Sequence, residues 1–256
     1  MKKNMPTALI VHGGWQGHRP RELAERFAEW LRESGFTTEV SDSLDGFLSL
    51  DDRPCDLIVP NWTMGEITPA QRDAMLRAVA AGSGLAGCHG GMGDSFRQDT
   101  AWQFLTGGQF VAHPGGDGVR YTVNVGASGN HAPHWITEDI DDFTVESEQY
   151  YMHVDPAIRV LASTIVPPPE MEDDAATSRA HPDLFGPHTS NHPVRMPVAW
   201  TKLWGEGRIF YCSIGHDPAL FEIEPLKRLM IRGMLWAARA EALAHKFEQL
   251  VTAEAD

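Results

Sequence analysis

Positive charge is scarce in this chain. Lysine and arginine number 21 against 35 aspartates and glutamates, for a formal charge of −14. No basic face is therefore available to displace counterions, and a nucleic-acid partner is excluded. Long apolar runs are missing as well, and with them the roughly 18 consecutive apolar residues of a membrane-spanning helix. The apolar part of MKKNMPTALIVHGG stops at a Gly-Gly turn after about five residues, too short for a secretory signal. Only three cysteines occur, Cys55, Cys88 and Cys212, each in or beside a strand-like run. An odd, strand-bound set suits reduced thiols and a cytoplasmic location rather than a disulfide framework. Neither H-E-x-x-H nor C-x-x-C is present, and there is no internal repeat and no linker-like stretch. One domain over 1–256 is the expectation.

The most structured stretch is Gly84–Gly93, GLAGCHGGMG. A short apolar run ends in a Cys-His pair crowded by glycines, the pattern of a buried strand that stops at a sharp turn. Gly87-Cys88-His89-Gly90-Gly91 fits a G-x-X-x-G elbow with His89 at the apex, where α/β hydrolases carry serine. The flanking glycines supply backbone angles that a Cβ would obstruct. Strand alternation predicts that Cys88 and His89 point opposite ways.

Around that elbow the chain alternates. Thr7–Val11 reads as a buried strand, Pro20–Ser34 as an amphipathic helix stopped by Gly35, and Thr37–Ser41 and Leu57–Pro60 as strands. Thr68-Pro69-Ala70-Gln71 opens a second helix with a capping box, closed by Gly82. Further on, Trp102–Leu105 reads as a short helix. GGQFVAHPGG reads as a strand end, and Tyr121–Val125, Phe143–Val145 and Val160–Thr164 as strands. Val198–Lys202 and Arg208–Ser213 form a hairpin around Trp204–Gly207, and a last helix starts near Pro225. Such alternation predicts a doubly wound α/β sheet. Pro167–Pro193, rich in proline, acid and histidine, reads as a long surface loop or flap, and Glu248–Asp256 as a fraying tail.

Histidines gather at the predicted strand ends: His12 after the first strand, His89 at the elbow, His113 after GGQFVA and His216 after the hairpin. In open α/β sheets, ligands bind at the carboxyl ends of the strands. Imidazoles with a carboxylate from Glu146, Glu148 or Asp217 can hold zinc or another divalent ion. They can equally act as general acid and base without one. The spacing leaves both open, with His12, His89, His153 and His216 as metal-ligand candidates. His18 shares a glycine-rich loop with His12. Trp15, Trp62, Tyr150, Tyr151, Trp200 and Trp204 fall at predicted strand ends or turns, where aromatic faces suit the apolar C–H faces of sugars; Trp15 and Trp200 are the candidate platforms.

VHGGWQGH (Val11–His18), AGCHGG (Ala86–Gly91), GGQFVAHP (Gly107–Pro114), SEQYYMH (Ser147–His153) and MPVAWTKLWGEGRIFYCSIGH (Met196–His216) together carry a family resemblance. The chain resembles the trehalose-utilisation (ThuA-like) family of the class I glutamine-amidotransferase-like superfamily over nearly its whole length. The resemblance implies a flavodoxin-like three-layer sandwich, with a mostly parallel central sheet flanked by helices. It also implies a sugar-catabolism enzyme acting on an oxidised, 3-keto sugar or glycoside by histidine acid–base chemistry, with or without a metal. The amidotransferase position for catalytic cysteine looks like His89 here, which argues against glutaminase chemistry.

The catalytic candidates are His89 and His12, with His153, His216 and Glu148 as partners. The substrate-binding candidates are Gly13, Gly14, Trp15, His18, Trp62, Gly90, His113, Tyr151 and Trp200. A small sugar or keto-sugar is the expected partner, and self-association into a homo-oligomer is left open. Two rivals stand beside this reading: a Cys88-dependent amidase, and a sugar-binding protein without chemistry.

Overall fold

The computed structural model describes residues 5–126, 133–166 and 193–246. The Pro167–Pro193 flap, apart from Pro193 itself, and the Glu248–Asp256 tail lie outside the described residues. Strands β1 (Thr7–Gly14), β2 (Thr37–Ser41), β3 (Leu57–Thr63) and β4 (Gly84–Cys88) alternate with helices α1 (Pro20–Glu33) and α2 (Pro69–Ala80). Short helices α3 (His89–Gly93) and α4 (Thr100–Thr106) follow the elbow. Then come β5 (Gly108–Ala112), β6 (Val119–Val125), β7 (Phe143–Ser147), β8 (Tyr151–Val154), β9 (Arg159–Val166), β10 (Val194–Trp204), β11 (Gly207–Cys212) and helix α5 (Glu224–Ala237).

Local chemistry explains the boundaries. Pro20 sits at the start of α1 with its apolar stripe, Leu23, Phe27, Trp30 and Leu31, buried against the sheet. The Thr68 side chain accepts from the Gln71 N–H at 3.3 Å, and the Gln71 side chain accepts from the Thr68 N–H at 2.9 Å, closing the capping box of α2. Gly205 and Glu206 make the tight turn between β10 and β11.

Among the described residues nine strands form one sheet in the order β2-β1-β3-β4-β11-β10-β9-β6-β7, and β5 and β8 pair in a small antiparallel sheet. The first five are mutually parallel, in the flavodoxin-like order. The remaining four extend the sheet antiparallel; of this extension only the β10–β11 hairpin is legible in the apolar runs. Counting direction across the ladders, β7 runs the same way as β1, β3, β4 and β11. Its carboxyl end therefore opens on the same edge. Helices α1 and α5 cover one face, over Ile10, Ala86 and Phe210. The opposite face, with Leu9, Leu85 and Ile209, packs beneath α2 and the segment around α3 and α4. The result is three layers.

Phe27 is fully buried between Trp30 and Phe221, with ring centroids 5.7 and 5.8 Å away. Truncating such a side chain removes its burial and leaves a cavity. Phe27→Ala is expected to cost about 3–5 kcal/mol, read as a lower urea midpoint at unchanged slope. A midpoint equal to wild type would show that this helix face does not hold the core.

Candidate active site

At the carboxyl edge of the sheet, four chain segments turn inward. After β1 a short 3-10 turn, Gln16–His18, brings His18 back over the sheet, 5 % exposed. After β4 the chain bends so sharply that His89 takes φ +46°, a left-handed conformation uncommon for a residue with a side chain. After β7 comes Glu148, and after β11 comes His216. Their donor atoms all lie within 4.8 Å of one another, so these four residues could hold a metal ion.

His89 is fixed on every side. Its Nδ1 lies 2.8 Å from the Ser213 carbonyl, its Nε2 2.9 Å from the Tyr150 hydroxyl, and its ring stacks on Tyr150 at 4.1 Å. The Tyr211 hydroxyl donates to the His89 carbonyl at 3.1 Å. A carbonyl only accepts, so Nδ1 carries the proton and Nε2 presents a lone pair. Glu148 Oε2 stands 3.1 Å from that Nε2, while Oε1 is 3.4 Å from His216 Nδ1 and 3.7 Å from His113 Nε2. The Glu148 carbonyl accepts from Tyr121 at 3.2 Å, and Gln149 donates to Thr164 at 2.9 Å, so the connection carrying the acid is tied down. His18 completes the ring, Nδ1 at 2.9 Å from Thr63 Oγ1 and its centroid 4.6 Å from His89 and 5.1 Å from His216.

Two glycines make this crowding feasible. A Cβ on Gly90 would sit 2.7 Å from the His18 ring, and one on Gly215 (φ +150°) would sit 2.6 Å from Cys88 Sγ.

The electrostatics divide the imidazoles. Burial, then the neighbouring His89, push His18 down to about 3, and burial likewise lowers His89, so both are neutral near pH 7. The Glu148 carboxylate raises His216 against the opposing pull of burial. Burial alone would raise Glu148, but its contacts with His216 and His89 outweigh that and hold it well below the usual carboxylate range. Of these imidazoles His216, at the more open side, is the one whose protonated form the site favours.

The structure brings His89, His216 and Glu148 together as the sequence suggests, adds His18 to them, and sets His113 at the rim. It does not bring in His12. β1 runs on to Gly14 rather than ending at Val11, so His12 is still within the strand, paired in register with Asn61. Alternation with Ala8 and Ile10 turns it towards α1, where its electrostatic neighbours are Asp42, Arg21 and Glu25. His153 is exposed on β8, its neighbour Met152 taking the buried side.

Trp200 is mid-strand in β10, completely buried, its Nε1 donating to the Thr106 carbonyl at 3.0 Å and its ring against Tyr211 at 4.4 Å. A sealed ring is no sugar platform. Trp15 remains a candidate, 47 % exposed and edge-on to His18 at 4.6 Å. Trp62 lies against Gly13, and Gly14 against the Thr63 backbone, lining the same strand ends, whereas Tyr151 is half-buried in the β5–β8 pair. The sequence offers Tyr150 only as one of six aromatic faces and Thr63 not at all; a hydroxyl gives no spacing signal, and only the fold shows which imidazole it meets.

Cys88 is buried in the core on the α1 and α5 side, its thiol pushed well above the ordinary range by burial and by nearby Cys212. It offers neither exposure nor a stabilised thiolate, both of which a nucleophile needs.

A family model described as ThuA, trehalose utilisation, matches residues 7–237. Among solved structures, a ThuA-like protein of Bacteroides uniformis superposes with a TM-score of 0.64 at 17% identity, covering 93% of this chain and 94% of its own. A ThuA-like protein of Parabacteroides merdae does so with a TM-score of 0.65 at 17% identity, covering 92% and 90%. At that identity they show the fold alone. No curated protein gives a match. No helix among the described residues is long and apolar enough to cross a membrane.

Because Cys88 is sealed, brief iodoacetamide treatment of the native protein is expected to leave it unlabelled until denaturant is added, as read by peptide mass spectrometry. Cys55, which is half-buried, serves as the comparison. Native labelling of Cys88 at or above the rate of Cys55 would reopen the thiol route.

Proposed function

Since the chain belongs to the ThuA, trehalose-utilisation, family, we propose that it acts on an oxidised sugar, a 3-keto glycoside, by proton transfer at the edge of the sheet. The observation that carries this reading is the convergence of His18, His89, His113 and His216 on the Glu148 carboxylate. A ring carbonyl acidifies the adjacent C–H, and an imidazole beside it can remove that proton.

His113 suits the role of base. It sits at the open side, its side chain 22 % exposed, within 3.7 Å of the acid. The C–H bond breaks, its proton passes to His113, and the electron pair moves onto the carbonyl oxygen as an enolate. His216, whose protonated form Glu148 favours, supplies the positive charge that such an enolate requires. Glu148 lies between the two imidazoles and can relay the proton. From the enolate, reprotonation gives isomerisation and loss of the neighbouring oxygen substituent gives elimination. Trp15 offers the ring face for the sugar.

This reading is favoured over a Cys88 amidase by the thiol's burial, and over a mere binding module by the strained, many-handed hold on His89.

Turnover of 3-keto-trehalose by wild type, Glu148→Gln and His12→Ala tests it. Glu148→Gln should lower kcat/KM by about 10²–10⁴-fold, while His12→Ala should stay within about 2-fold because its side chain serves the α1 face. Equal turnover by wild type and Glu148→Gln, or no turnover of any 3-keto glycoside by wild type, would remove the proposal.

A further inference from the structure

We infer that His18, His89, His216 and Glu148 form a binding site for one divalent transition-metal ion. The inference goes beyond the keto-sugar reading and does not depend on it.

The first argument is an unmet need at the centre of the cluster. The Ser213 carbonyl takes the Nδ1 proton of His89, so Nε2 is the ring nitrogen free to act as a ligand, and it faces the Glu148 carboxylate across 3.1 Å. Two acceptors at that distance repel unless something positive lies between them. The Tyr150 hydroxyl, 2.9 Å from Nε2, has one proton and cannot serve both. His216 Nδ1 is buried without a hydrogen-bond partner, 3.4 Å from Oε1. A cation among these atoms would satisfy all three donors together.

The second argument is the way the imidazoles are held. Metal-binding histidines commonly donate their other ring N–H to a carbonyl or a similar acceptor, which fixes the tautomer and aims the free nitrogen. His89 does so towards Ser213, and His18 is oriented through Nδ1 by Thr63 at 2.9 Å. Such outer contacts are not required for packing alone.

Size and donor type point to the class of ion. Ligand bonds of about 2.1 Å place tetrahedral donors about 3.4 Å apart, so this set, spread over no more than 4.8 Å, would draw inward by small side-chain shifts to close on an ion. Three nitrogens and one carboxylate favour zinc, iron, nickel or cobalt over magnesium and calcium, which take oxygen. His113, at 3.7 Å from the acid, stays outside the set and keeps its place as proton acceptor. Metal and proton would compete for the same centre: either supplies the positive charge beside Glu148.

The test uses the full chain with no histidine tag, stripped with dipicolinic acid and reloaded with Zn²⁺ or Co²⁺ in excess Mg²⁺. Elemental analysis should find about one equivalent per chain, and the Co²⁺ form should show visible absorption bands of nitrogen coordination. Glu148→Gln and His216→Ala should each weaken binding by at least about 10–100-fold, while His153→Ala on the exposed strand binds like wild type. Uptake below roughly 0.2 equivalents, or binding unchanged in both site variants with native circular dichroism, overturns the site. Assaying stripped and reloaded protein on 3-keto-trehalose separates the two readings. Turnover without metal uptake sinks the metal site only, whereas stoichiometric binding without turnover sinks the sugar reading only.

Discussion

A carboxylate sunk to 8 % side-chain exposure is the constraint on which the rest of this structure turns. An ionised acid withdrawn from water is tolerated only when paired with positive charge and hydrogen-bonded. Of the imidazoles gathered round Glu148, His216 is the one whose protonated form the acid favours over the opposing pull of burial, and the surrounding framework holds all of those rings at contact distance. The backbone of His89 in a left-handed conformation, the carbonyl of Ser213 and the hydroxyls of Tyr150, Tyr211 and Thr63 all serve that end.

The sheet makes the gathering cheap in chain length. Parallel strands deliver every following turn to the same edge, which is why His18, His89 and His216 meet although about 200 residues separate the first from the last. The antiparallel extension reverses direction four times and so returns β7 to the parallel sense. Its carboxyl end, with Glu148, then faces the cluster rather than the far side of the molecule.

The elements of the parallel half were readable because each carries its own punctuation: Pro20 and Gly35 around α1, the capping box of Thr68 and Gln71, the glycines about the elbow. His89, His216 and Glu148 were readable because glycine or a turn follows a strand there. His12 misled for a narrow reason: β1 extends three residues past its apolar run, as far as Gly14, so His12 keeps the strand's alternation and shares the face of Ala8 and Ile10. Trp200 misled because it lies within the eleven-residue β10, its ring sealed against Tyr211 rather than open at the sheet edge. The pairing of β5 with β8 and the hydroxyl contacts of Tyr150 depend on segments meeting in space, and no local pattern encodes that.

Between Val145, in the core beneath α1 and α5, and Tyr150, in the core on the opposite side, the chain passes from one face of the sheet to the other, and Glu148 sits at the crossing. The acid thus rides on a bridge, while the imidazoles it serves are rooted in the parallel frame. Exchanging the side chain at 148 alone would swap the acid for another group while Tyr150 and the parallel strand ends keep the nitrogen donors in place, so the scaffold has a single position at which its chemistry is set.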